Sequence, residues 1–104
     1  MENFKEISVE QAAQMLKAGK SLFVDVRDPG SFSAAHVPGA LQLNDANVQD
    51  FVTKTDKSKP IVCYCYHGNT SQGAAAYLMD QGFKEVYSVA GGFELWRTTE
   101  KIES

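Results

Sequence analysis

Cysteine is scarce in this chain: Cys63 and Cys65 are the only two among 104 residues. A pair two positions apart makes no disulfide framework, so the cytosol is the expected compartment. Clusters of Lys and Arg are absent, and a net charge of −3 is too mild for a nucleic-acid surface. No apolar run approaches the length of a membrane span. The start, Met1-Glu2-Asn3-Phe4-Lys5-Glu6, lacks the basic and apolar regions of a signal peptide. There is no linker, internal repeat or low-complexity segment. What remains, 43% hydrophobic and 22% charged, is the composition of an ordinary globule. The expectation is one domain over residues 1–104, long enough for a single closed core.

Acidic residues are also missing from one stretch, Lys57 to Met79. Within it, Pro60-Ile61-Val62-Cys63-Tyr64 reads as a buried strand and Ser71 to Met79 as a helix. Between them lies the loop Cys65-Tyr66-His67-Gly68-Asn69-Thr70. A cysteine where a strand yields to a helix can face loop amides and the positive end of the helix dipole. Such a thiolate has a pKa of roughly 3.5–7.5 instead of about 8.5. The competing reading is a free cysteine buried in the core, the commonest fate of the residue type. Position alone leaves both open.

Periodicity and punctuation organise the rest. Ser8 and Gln11 form a capping box ahead of a helix with the stripe Val9, Ala12, Met15 and Leu16, ending near Gly19. Ser21 to Val26 reads as a buried strand, and Asp28-Pro29-Gly30 and Pro38-Gly39 as turns. A short strand fits Ala40 to Leu43, followed by a helix capped by Asn44 or Asp45 with Val48, Phe51 and Val52 inward. Lys54 to Lys59 is a polar loop, and Gly82 ends the helix that follows the cysteine loop. Glu85 to Val89 is another strand, Gly91-Gly92 a tight turn and Phe93 to Thr99 a last helix. Alternating strands and helices predict an α/β fold with a mostly parallel central sheet flanked by helices on both faces.

Three segments carry a resemblance. Asp25-Val26-Arg27 with Ser31-Phe32-Ser33-Ala34-Ala35-His36-Val37-Pro38-Gly39-Ala40 is similar to the rhodanese signature. Cys65 to Ser71 resembles that family's active loop, and Gly91-Gly92-Phe93-Glu94-Leu95-Trp96 its closing element. The three occur in order and span the chain. Two positions depart from the pattern: Ser31 stands for the usual Glu, and Ala35 for the usual Gly before His36.

The resemblance implies the rhodanese fold and a thiosulfate:cyanide sulfurtransferase that works through a Cys65 persulfide without cofactor or metal. The outer sulfur of thiosulfate would pass to Cys65 and then to a thiophilic acceptor. That acceptor is cyanide in an assay, and a small thiol or a protein dithiol such as thioredoxin in the cell; 3-mercaptopyruvate stays open as donor. The loop residues Tyr66, His67, Gly68, Asn69, Thr70 and Ser71 would bind substrate, because an anionic persulfide needs a cradle of amides. Gly68 would permit the backbone turn, and Thr70 or Ser71 could cap the following helix.

Other residues carry structural readings beside functional ones. His67 either donates to the bound anion or is an exposed polar residue of the loop. Asp25 and Arg27 share one strand face and are expected to support the loop, with Arg27 a possible source of positive potential. His36 is expected to tie its turn to the backbone, Cys63 to pack in the core, and Trp96 with Phe93 to seal the last helix. Three other functions compete with sulfur transfer. A cysteine phosphatase would need Arg at position 71, where this chain has Ser71. A metal or redox site would have only Cys63, Cys65 and His67, spread over about 13 Å of extended backbone. A noncatalytic module of this family commonly lacks the cysteine that this chain keeps.

Overall fold

The computed structural model describes residues 4–104; the N-terminal reading at Met1, Glu2 and Asn3 lies outside them. Five strands, β1 (Lys5–Ile7), β2 (Leu22–Asp25), β3 (Leu41–Gln42), β4 (Ile61–Tyr64) and β5 (Val86–Val89), form one sheet. Five helices connect and flank them: α1 (Val9–Ala18), α2 (Pro29–Ala34), α3 (Val48–Lys54), α4 (Thr70–Asp80) and α5 (Gly92–Thr99). Every strand pair is parallel, in the spatial order β1-β5-β4-β2-β3.

Parallel strands need crossover helices, which cover both faces and bury the central strands on both sides. Strand β4 shows the consequence, since all four of its residues are buried. Its alternate side chains enter two different cores. Val62 and Tyr64 join Phe23, Val9 and Ala12 of α1, and Phe93 and Trp96 of α5. Ile61 and Cys63 face the opposite layer, with Val24, Val52 of α3, and Ala75 and Leu78 of α4. Cys63 is fully buried, as its place in the strand predicts. Trp96 meets Phe23 edge-on at 6.1 Å, and its indole N–H donates to the Lys101 carbonyl at 2.9 Å.

Helix ends follow their sequence signals in two cases. Ser8 and Gln11 make the capping box of α1, and Gly19 closes that helix in the left-handed conformation. At the end of α4 the amides of Gly82 and Phe83 donate to the carbonyls of Met79 and Leu78, the Schellman closure that a left-handed Gly82 allows.

Two local readings are corrected and one strand is added. The expected turn at Asp28-Pro29-Gly30 opens helix α2: the Asp28 carboxylate accepts from the Ser31 amide at 3.0 Å, and Pro29 takes the first helical position. The helix α3 begins at Val48 after Asn47, with no side-chain cap. Asn44 instead accepts from the Ala46 and Asn47 amides in the preceding turn, and Asp45 makes no cap. Strand β1 adds an edge that local sequence does not announce, held in register by Lys5 opposite Tyr87 and Ile7 opposite Val89.

One topological feature positions the site. After β4 the chain turns to α4 on one face of the sheet, while after β5 it turns to α5 on the other. Two adjacent parallel strands whose helices part in this way leave a crevice at their C-terminal ends. Cys65 follows β4 into that crevice, and Gly91-Gly92 follow β5.

Candidate active site

Cys65 is buried to 5% exposure, yet its sulfur is ringed by donors. The backbone amides of Gly68 and Ser71 each donate to Sγ at 3.2 Å, and the Ser71 hydroxyl lies 3.4 Å away. Burial alone would push the thiol up. The Ser71 hydroxyl and the amides of Ser71, Gly68 and His67 outweigh it, and Cys65 lies below the ordinary thiol range. Cys63, two residues earlier, has burial without such donors and is pushed up to about 12, the nearby Cys65 adding to the effect.

The loop curls back on its own cysteine because Gly68 adopts φ +97°, a left-handed backbone that disfavours any side chain. Space is also lacking, since a Cβ on Gly68 would sit 3.1 Å from the Val89 carbonyl and the Gly91 amide nitrogen. A second glycine clamps the loop from below. Gly92 presses so closely that its Cβ would fall 2.4 Å from the Tyr66 carbonyl oxygen and 2.5 Å from that of Cys65. The Phe93 amide donates to the Cys65 carbonyl at 2.7 Å and the Glu94 amide to the Tyr66 carbonyl at 3.0 Å. The second and third amides of α5 thus hold the backbone of the cysteine loop, while the second amide of α4 holds its sulfur.

The structure gathers the sequence-predicted residues unequally. Gly68 and Ser71 form the cradle, with the His67 amide contributing. Among the described residues, no hydrogen bond joins the amides of Tyr66, Asn69 or Thr70 to the sulfur. The side chains of Tyr66, His67, Asn69 and Thr70 are exposed around the opening. The expected cap of α4 by Thr70 or Ser71 is corrected: Asn69 precedes the helix, and no side-chain oxygen caps it. Cys65 Sγ takes that part by accepting the Ser71 amide, so the sulfur satisfies a helix end that would otherwise need an oxygen. Cys63, Cys65 and His67 form no ligand group, and none of three or more His, Cys, Asp or Glu occurs among the described residues.

Arg27 and Asp25 support the loop from β2. Arg27 Nη2 lies 2.6 Å from Asp25 Oδ2 and equally close to the Ala35 carbonyl oxygen, with both side chains buried. Burial opposes the Arg27 charge, but the Asp25 carboxylate more than restores it and raises the guanidinium pKa. The guanidinium carbon stands 4.1 Å from the Phe93 ring centre and 5.0 Å from that of Tyr66, joining the loop to α5. Its charge is spent on Asp25.

The two departures from the signature fit this frame. Ala35 has φ −170°, extended backbone that needs no glycine. Ser31 Oγ bonds the Asp28 carboxylate at 2.8 Å and accepts from the Tyr66 hydroxyl at 3.1 Å. His36 places Nδ1 2.8 Å from the Phe32 carbonyl oxygen and stacks on the Phe32 ring, tying its turn as expected.

Sequence reasoning missed Ser88. This residue of β5 is fully buried, and its Oγ lies 2.8 Å from Ser71 Oγ, directly behind the cradle. The available signal was a small polar residue inside a strand that the two-sided fold must bury.

The chain is similar to known proteins along its whole length. The thiosulfate sulfurtransferase GlpE of Pseudomonas syringae pv. syringae is 54% identical over 104 residues, all of this chain and 97% of that protein. The protein of the same name from Pseudomonas putida F1 is 50% identical, over all of this chain and 94% of its own length. Among solved structures, the BH2092 protein of Bacillus halodurans superposes with a TM-score of 0.85 at 27% identity, over 96% of this chain and 77% of that one. The model of the rhodanese-like domain matches residues 8–99, from the Ser8 cap to the end of α5. That span contains both glycine clamps, the cradle and its buried serines, and the chain belongs to the rhodanese-like domain family.

Proposed function

We propose that this protein is a thiosulfate sulfurtransferase in which Cys65 carries the transferred sulfur as a persulfide. The observation that carries the reading is the sulfur atom itself, held by the Gly68 and Ser71 amides at 3.2 Å with no acidic residue in its loop. The likeness to proteins named thiosulfate sulfurtransferase GlpE, along the whole chain at 50–54% identity, supports the same substrate.

In the first step the Cys65 thiolate uses one electron pair to bond the outer sulfur of thiosulfate. The sulfur–sulfur bond of thiosulfate breaks, and its pair leaves with sulfite. The new persulfide keeps the negative charge on its outer sulfur, one bond further from β4. There the amides of Asn69 and Thr70, at a helix start where backbone donors lack helical acceptors, can receive it. In the second step an acceptor attacks the outer sulfur, and the bonding pair returns to Cys65 as thiolate. Cyanide yields thiocyanate. In the cell, the acceptor we infer is a small thiol or a protein dithiol such as thioredoxin, acting in the cytosol. The chain would work as a single domain over residues 1–104, with no cofactor or metal.

Phosphate chemistry lacks its clamp. Position 71 holds a buried serine tied to Ser88 instead of an arginine, and no carboxylate in the loop can protonate a leaving oxygen. The test is a paired assay. Thiosulfate and cyanide should give thiocyanate, while p-nitrophenyl phosphate should not be hydrolysed above background. Phosphate hydrolysis that disappears in Cys65→Ser would overturn the proposal.

A further inference from the structure

Ser88 takes no part in the sulfur transfer described above, yet it occupies a costly position. It lies on an inner strand opposite Cys63, fully buried beside Val86 and Val89, where a hydroxyl is tolerated only if hydrogen-bonded. Among the described residues, its side-chain partner is Ser71 Oγ at 2.8 Å. Ser71 is equally buried and reaches Cys65 Sγ at 3.4 Å. Three atoms therefore form a row from the middle of the sheet to the sulfur.

Counting protons gives the row a direction. Each hydroxyl has one proton to donate, and a thiolate has none. When Cys65 is a thiolate, Ser71 donates to sulfur and Ser88 donates to Ser71, so both protons are used. When Cys65 is a thiol, three protons share the same two contacts, and one buried donor is left unpaired. Donation from Ser88 also polarises the Ser71 hydroxyl toward the sulfur, a gain that is larger at the thiolate.

We propose that Ser88 is a positioning residue that holds the Ser71 hydroxyl with its proton on the Cys65 sulfur, so that the row is complete only around the anion. The use of this device in catalysis rests on the sulfurtransferase reading; its test does not. The other titratable or charged groups on the surrounding elements are Cys63 and Tyr64 of β4, Tyr66 and His67 of the loop, the Asp25–Arg27 pair, Lys5 and Glu6 of β1, Tyr77 and Asp80 of α4, Glu85 just before β5 and Tyr87 within it, and Glu94 and Arg97 of α5. The first turn of α4 carries no acid. All of them are retained in the variants below, so a difference from wild type reads the hydroxyl.

The experiment follows the rate of Cys65 alkylation by iodoacetamide against pH, by intact mass on the full chain. Ser88→Ala should move the midpoint upward, so that below the midpoint the rate falls about three- to tenfold while the alkaline plateau is unchanged. Ser71→Ala should move it further. The double variant should match Ser71→Ala alone, because Ser88 acts only through Ser71. Ser88→Thr and Ser88→Val have nearly the same shape, and only the threonine should keep the wild-type midpoint; this pair decides the matter if Ser88→Ala misfolds. Equal midpoints for threonine and valine, or a Ser88→Ala shift that persists in the Ser71→Ala background, would overturn the inference. Sulfur loading from thiosulfate is measured on the same samples. Its absence beside a normal Ser88 shift would overturn the proposed function and leave the positioning role standing.

Discussion

Cys63 and Cys65 stand two residues apart, on the same segment and facing the same side of the sheet, and their chemistries diverge. Cys63 is enclosed by Val24, Ile61, Ala75 and Leu78, and burial pushes its thiol up to about 12. Cys65 is nearly as buried, but the strand ends before it, and the loop wraps its amides around sulfur. Burial penalises both thiolates; directed donors reverse the outcome at one of them. Depth in the fold therefore does not decide which thiolate is favoured. What decides it is where backbone amides run out of helical or sheet partners.

The largest expected effect comes from removing the support under Cys65 while leaving Cys63 alone. Gly92→Ala would drive a methyl group into two backbone carbonyls that have nowhere to retreat. A loss of about 2–4 kcal/mol in denaturant unfolding is expected, and sulfur transfer should drop more than tenfold. Retention of both would mean that the contact between α5 and the loop is not what sets the cradle.

Next in size is Gly68→Val, compared with His67→Ala. Valine is strained at φ +97° and meets the Val89 carbonyl, so the amide that faces sulfur is displaced. His67 is exposed and offers the cradle its backbone amide, which alanine keeps. Steady-state rates with thiosulfate and cyanide should fall more for Gly68→Val. The reverse ranking would assign stabilisation to the imidazole side chain.

The smallest effects sharpen the contrast through pH. Cys65 has a lowered folded pKa, so its contribution to stability is fully present above the pKa of the unfolded thiol and fades as pH falls through the folded value. Transfer activity should fall over the same acid limb. Cys63 has a raised folded pKa, so its contribution is intact below the unfolded value of about 8.5 and is lost as pH rises toward about 12. Cys63→Ala should cost about 1–2 kcal/mol near neutrality through the small cavity it leaves, and should flatten the alkaline loss of stability. An unchanged alkaline slope would show that Cys63 is not the group titrating there.

Much of this was legible in the residue order, for physical reasons that differ by element. The four buried residues of β4 form a continuous apolar run, and a strand buried on both faces must read that way. The loop announced itself by a cysteine, a glycine and a helix start at fixed spacing. Strand β1 did not, because three residues with two exposed carry no periodicity, and its pairing with β5 spans about 80 positions of sequence. Helix α2 was hidden because it buries no residue fully, although Asp28-Pro29 is a cap followed by a first-turn proline. Ser88 could not be joined to Ser71 from sequence, since the contact exists only once β5 lies beside β4 and α4 packs across both.

The comparison of the two cysteines reduces to one measurement, intact mass after exposure of reduced protein to thiosulfate. Wild type and Cys63→Ala should each gain the mass of one sulfur and lose it again on adding cyanide. Cys65→Ala and Cys65→Ser should gain none while keeping the wild-type circular dichroism spectrum. A sulfur taken up by folded Cys65→Ala, or missing from folded Cys63→Ala, would contradict the account by placing the reactive thiolate at Cys63.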